Sequence, residues 1–349
     1  MSLAERPFAR RAAWGAVGVA VLVLILLTVL VLLILNPDDT GPTGANTSRH
    51  LEPVTVITGP NTGDKPLFAR PLAAAWASDG SIYVSDTGNG RVCVFSSRGK
   101  FIREVGRATT STPVGQRAGA LVQPAGLAVR ADGSLLVADL RAGVVREYDV
   151  SGRFMRSIHP RAVGSAVAPA WSPTDVALFG DSIYVADAKG IAVFSATGKL
   201  IRRYDRVTKE SAFARPASVA VLRDGTLVVS DTNARRVVAL TKGGLPVWSV
   251  PRVANTAQDS VFGLPRGVAA VGDGSVVVVD AFKFGFVHIS ADGRVLGSYG
   301  ARGIQPGFFE FPNDVDVRDD LVLVADKEND RVQVVRLRGI LNATTDPKR

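Results

Sequence analysis

The chain has 349 residues, of which 46% are hydrophobic and 21% charged, a balance that excludes an intrinsically disordered protein. Its 41 Lys and Arg against 32 Asp and Glu leave a formal net charge of +9, which favours anionic partners. A single cysteine, Cys93, excludes an intramolecular disulfide framework, and three histidines leave little material for a zinc centre.

Residues 12–35 carry no charge across 24 positions. At 1.5 Å per residue such a helix is roughly 36 Å long and crosses a ~30 Å hydrocarbon core. Arg6, Arg10 and Arg11 precede it and Asp38 and Asp39 follow it, so the positive-inside rule predicts a cytoplasmic tail over 1–11 and an extracytoplasmic remainder. A cleaved signal peptide fits less well, because Leu35-Asn36-Pro37-Asp38-Asp39 offers no small-x-small site. Residues 36–50 (NPDDTGPTGANTSRH) lack apolar periodicity and read as a flexible stalk. Asn46-Thr47-Ser48 and Asn342-Ala343-Thr344 are sequons.

From there to about Leu337 one phrase recurs: a Pro, a small apolar run, a turn, then an apolar run ending in Asp. The Pro residues are Pro71, Pro124, Pro173, Pro216, Pro265 and Pro312, and the Asp residues are Asp86, Asp139, Asp187, Asp231, Asp280 and Asp326. Each Asp follows its Pro by 14 or 15 positions, and successive Asp residues are 53, 48, 44, 49 and 46 apart. Units of this length that cannot bury their own apolar faces form an array. The first copy (PLAAAWASDGSIYVSDTGNGRVCVFSSRGKFIREVG) divides into four apolar runs with turn signals such as Asp79-Gly80 between them, which predicts tight hairpins. The middle runs (SIYVS, SLLVA, SIYVA, TLVVS, SVVVV, LVLVA) are almost continuously apolar, as in strands covered on both faces. Four-stranded antiparallel units repeated radially give an all-β, six-bladed β-propeller. The sixth copy supplies only three strands, so Val54 to Gly59 (VTVITG) is expected to complete it and close the ring, and 338–349 is expected to be a tail.

The pattern Pro, apolar strand, DG, YVSDTGNGRV, apolar strand, RGKFIREVG resembles the NHL repeat, over Leu51 to about Leu337. The Gly-His and Trp-Asp marks of WD40 blades and the Gly-Gly doublets of kelch blades do not recur. Copies three and five depart most: Ala188 to Ala192 shortens one loop, and AFKFGF replaces TGNGRV in the other. The resemblance implies a six-bladed propeller used as an interaction module. Similar anchored propellers serve as outward-facing sensor parts of bacterial receptor kinases, although a tail of about 11 residues leaves no room for a signalling domain.

The loops between second and third strands share a side with the connections between blades, and that side collects cations: Arg107, Arg117, Arg141, Arg161, Lys189, Arg206, Lys209, Arg235, Arg252, Lys283 and Lys327. Such a rim suits a protein or an anionic envelope polymer; nucleic acid is not the expected partner. Asp86 with Arg91, Asp231 with Arg236 and Asp326 with Arg331 recur at one spacing, which marks a scaffold device. Cys93 and Trp76, Trp171 and Trp248 are expected to pack within blades, with Trp171 placed in a connection on the basic side.

His50, His159 and His288 are scattered, so zinc chemistry lacks ligands. No phosphate-cradling loop, GxSxG elbow or HExxH is present. Two residues after each repeat Pro, near the axis, stand Ala73, Gly126, Asp175, Ser218, Gly267 and Asp314, and Asn313 and Asp316 add oxygen in the last copy. Binding without a cofactor is therefore the first expectation. The alternative is a membrane-anchored hydrolase or lyase holding Ca²⁺ at Asp175, Asp314 and Asp316.

Overall fold

The computed structural model describes residues 51–61, 67–107, 119–160, 171–251 and 261–337. The expected tail 1–11, membrane helix 12–35, stalk 36–50, C-terminal tail 338–349 and both sequons lie outside the described residues. Among the described residues no helix is long and apolar enough to cross a membrane.

Six four-stranded antiparallel sheets form the blades of an all-β propeller. Blade one is β2 (Ala73–Trp76), β3 (Ile82–Asp86), β4 (Arg91–Phe95) and β5 (Phe101–Val105), paired in chain order. Blade two is β6 (Pro124–Val129), β7 (Leu135–Asp139), β8 (Val144–Tyr148) and β9 (Phe154–Ile158). Blade three is β10 (Pro173–Phe179), β11 (Ser182–Asp187), β12 (Gly190–Ser195) and β13 (Leu200–Tyr204). Blade four is β14 (Pro216–Val221), β15 (Leu227–Asp231), β16 (Arg236–Leu240) and β17 (Pro246–Val250). Blade five is β18 (Pro265–Ala270), β19 (Val276–Asp280), β20 (Gly285–Ile289) and β21 (Val295–Tyr299). Blade six is β22 (Asp314–Arg318), β23 (Leu321–Asp326) and β24 (Arg331–Arg336), completed by β1 (Glu52–Ile57) in the order β1-β24-β23-β22.

The closing strand starts two residues earlier than expected, with Val54 in a bulge between Pro53 and Thr55. The first strands of neighbouring blades touch in a closed circuit, β2 to β6, β10, β14, β18, β22 and back to β2, which places them around the axis. Hydrophobic layers lie between blades. Tyr83, Val92 and Val94 pack with Leu127, Val137 and Tyr148 across the first gap. Val84, Cys93 and Phe95 meet Ile57, Leu323 and Val332 across the last, where Cys93 is fully buried as expected. An almost continuously apolar second strand is what a sheet covered on both faces needs.

The first hairpins are mostly longer than a two-residue turn. In blade one Ala77 N donates to Ser81 O and Gly80 N to Ala77 O, enclosing a three-residue loop whose Gly80 has φ +87°. Gly alone takes the left-handed position here, while the Asp79 carboxylate accepts the Ser81 N–H.

Candidate functional site

The repeat Asp acts as a pin. Asp86 accepts Ala69 N, Asp139 accepts Val122 N and Gln123 N, and Asp231 accepts Ala214 N and Arg215 N. Asp280 accepts Gly263 N and Leu264 N, and Asp326 accepts Glu310 N. In each case the donor lies 16 or 17 residues upstream, just before the repeat Pro, so the constant Pro-to-Asp spacing sets the length that lets the carboxylate at the end of strand two hold the entry to strand one. In blade three the Trp171 indole Nε1 donates to Asp187 Oδ2 at 2.7 Å, so the side chain is committed to scaffold. The expected Arg partners are present: Arg91 to Asp86 at 2.7 Å, Arg236 to Asp231 at 2.9 Å and Arg331 to Asp326 at 2.7 Å. Burial pushes the Asp86 carboxyl up, while contact with Asp86 holds the Arg91 guanidinium charged. The geometry favours the ionised pair, because both Asp86 oxygens act as acceptors from N–H donors.

A second device ties outer strands together. Arg103 donates to Val150 O, Arg156 to Ala196 O and Arg202 to Lys242 O, each reaching the last hairpin of the following blade. In blade four the Trp248 indole takes this part, donating to Ala291 O at 2.8 Å. Trp248 is thus a blade contact, as expected.

Ala73, Gly126, Asp175, Ser218, Gly267 and Asp314 all line the narrow throat of the channel, as their place after the repeat Pro predicts. Gly126 sits where a Cβ would come 2.2 Å from Asp175 Oδ1, and Gly267 where one would come 2.3 Å from Asp314 Oδ1. Each of these Asp residues therefore fits only because the preceding blade offers Gly. Asp175 accepts Ser218 Oγ at 2.6 Å and Val219 N at 3.2 Å, and Asp316 accepts Trp76 N at 2.8 Å. Ser218 Oγ in turn accepts Val268 N from blade five. These carboxylates are half-buried beside the channel and walled by protein, and this desolvation raises all three pKa values. Asp175 is pushed up to about 6, and Asp314 is raised well above 3.8 by burial and by the facing Asp175 carboxylate. Their oxygens are engaged by the next blade. Among the described residues no three His, Cys, Asp or Glu side chains gather as a metal-ligand group.

On the loop-rich side Arg107, Arg141, Lys189, Arg206, Lys209, Arg235 and Lys283 are all exposed. Arg117, Arg161 and Arg252 lie outside the described residues. Arg107 pairs with Glu104 at 3.1 Å, and Arg206 donates to Lys209 O. At the channel mouth an open bowl of about 560 Å³ is lined by Arg70, Arg141, Arg266, Lys327, Phe282 and Phe311 among others, with no carboxylate among its described lining residues. The rim pattern located Arg141 and Lys327. It missed Arg70, Arg266, Phe282 and Phe311, although Arg70, Arg266 and Phe311 adjoin the repeat Pro residues and Phe282 belongs to the divergent AFKFGF segment.

The NHL repeat family model matches residues 68–95, which cover the first three strands of blade one. No curated protein matches the chain in sequence. Among solved structures, a streptogramin B lyase is 16% identical, with 77% of this chain and 80% of that one covered and a TM-score of 0.54. An inactive virginiamycin B lyase from Staphylococcus aureus, solved with quinupristin, is 11% identical over 83% and 97%, with a TM-score of 0.55. A gluconolactonase from Xanthomonas campestris is 16% identical over 77% and 86%, with a TM-score of 0.58. Identities this low are evidence of shared fold alone. With the matched NHL repeat in blade one and its pinning Asp recurring in all six blades, the chain is a six-bladed β-propeller that carries an NHL repeat.

Proposed function

We propose that the propeller is a binding module, held at a membrane by residues 12–35 with its ring on the extracytoplasmic side. Its loop-rich face engages a protein or an anionic envelope polymer. The observation that carries this reading is a charge imbalance on that face: among the described residues Arg141, Lys189, Arg235 and Lys283 form no ion pair, whereas the repeat Asp residues are committed to the scaffold. Unpaired exposed cations around one opening attract polyanions over a Debye length of about 8–10 Å, and salt weakens that attraction. The test is retention of the full chain on an anionic matrix as salt rises. Reversal of Lys189, Arg206 and Arg235 to Glu should abolish retention, and unchanged elution of the reversed protein refutes the reading.

The lyase and gluconolactonase neighbours supply a catalytic alternative, a hydrolase or lyase with Ca²⁺ at Asp175, Asp314 and Asp316. Binding is favoured because those carboxylates already accept hydrogen bonds from Ser218, Val219, Trp76 and Val317. Calorimetry separates the two. Ca²⁺ heat at millimolar concentration that disappears in Asp314→Ala would establish the catalytic alternative.

A further inference from the structure

We infer that the bowl at the channel mouth is a small-molecule site for an organic acid, a phosphate or carboxylate carried on an aromatic or flat apolar body. This rests on the reading of the loop-rich face as an anion-binding surface and names what its centre takes. About 560 Å³ falls in the range typical of small-ligand pockets. The floor is built around Arg266. Its Nε donates to Asn313 Oδ1 at 3.0 Å, and Asn313 Nδ2 donates to Leu72 O at 2.6 Å, so neighbouring blades hold the guanidinium in place. Ser230 Oγ donates to Arg266 O and Thr232 Oγ1 to Pro265 O, fixing the backbone beneath it.

Among the described residues neither Arg266 nor Arg141 forms an ion pair; burial and the nearby Arg215 charge lower the Arg266 pKa, and the Asp314 carboxylate offsets them only in part. An entering anion adds counter-charge, and a planar guanidinium suits a phosphate or carboxylate bidentately. Arg70 and Lys327 contribute less, since they share the Glu328 carboxylate at 2.7 and 2.9 Å.

The apolar half comes from the blade-five departure from the repeat. Phe282 is 54% exposed, and its ring meets Phe311 edge-on with centroids 6.1 Å apart; Phe311 is braced by Phe284 at 5.2 Å. Phe311 and Arg70, the residues before the repeat Pro in blades six and one, both have positive φ, +48° and +50°. A side chain other than Gly held there is strained and is kept by its surroundings. A half-exposed aromatic beside unpaired guanidinium groups recognises a ligand with a charged head and a flat body.

The experiment titrates the full chain in nonionic detergent with 1-naphthyl phosphate and 1-naphthoate, using inorganic phosphate and 1-naphthol as comparators against detergent blanks. At least one naphthyl anion should bind tenfold or more tightly than either comparator. Arg266→Gln should weaken it at least tenfold. The exposed-site variants Arg141→Gln and Phe282→Ala, which carry little folding risk, should weaken it severalfold, and Lys199→Gln, in the exposed hairpin between β12 and β13, should leave it unchanged. Equal affinity for inorganic phosphate, or full affinity in folded Arg141→Gln and Phe282→Ala, overturns the inference. Retention on the anionic matrix is read in parallel: naphthyl failure with retention intact sinks only the bowl, and lost retention with naphthyl binding intact sinks only the rim.

Discussion

Replacing Arg91 by Met removes the cation from a pair in which both side chains are fully buried, Arg91 against Asp86 at 2.7 Å and Glu104 at 2.9 Å. Asp86 would keep only the Ala69 N–H and the Asn89 amide as donors. Blade five shows what a repeat Asp needs without Arg: Asp280 accepts the N–H groups of Gly263, Leu264, Phe282 and Lys283. With half as many donors, Asp86 cannot reach that satisfaction, so the loss should approach the ~3–5 kcal/mol of a broken buried pair. At an unfolding entropy of about 2.1 cal/mol/K per residue, a ring of this size should then lose roughly 5–8 °C in Tm. Thermal and urea unfolding of the full chain, followed by tryptophan fluorescence, measures it. Asp86→Asn in the same background should recover part of the loss, because it removes the stranded charge. A loss under about 1 kcal/mol, or strict additivity of the two substitutions, refutes the view that the pair is a coupled pin.

The channel carboxylates and His288 should give opposite pH signatures. Asp175 is raised from 3.8 to about 6, so the folded state takes up this proton first and stability declines as pH rises from about 4 through 6. Asp175→Asn removes that slope, and its stability relative to the parent should therefore improve between pH 4.5 and 7.5; a constant difference refutes it. His288 is buried against Ser275, and desolvation lowers its pKa below 6.5, so stability is lost as pH falls below about 6.5. His288→Gln should flatten the profile there, and an unchanged acid limb counts against the assignment. Gly126→Ala places a Cβ 2.2 Å from Asp175 Oδ1 and should cost about 1–3 kcal/mol by urea unfolding; a loss under about 0.5 kcal/mol means that the throat yields.

Local chemistry made much of the ring legible. Apolar second strands and Gly at hairpins are properties of neighbouring residues, and the missing fourth strand of the last copy called for the one near the start. The two-residue shift of β1 and the three-residue hairpin loops escaped because bulge and turn register depend on the partner strand. Trp171 shows the same limit. Its place on the basic side was readable, but its bond to Asp187 forms across 16 residues.

The repeat by itself determined the all-β class, the number of blades, the closure and the throat positions, because each follows from spacing that one strand or one hairpin can express. Which cations stay unpaired, and which of them meet Phe282 and Phe311 at one opening, was decided only by tertiary structure. That outcome depends on bringing blades one, two, five and six to a common axis. Arg70 and Phe311 are 241 positions apart in the chain, yet both line the bowl, and no local pattern carries that proximity.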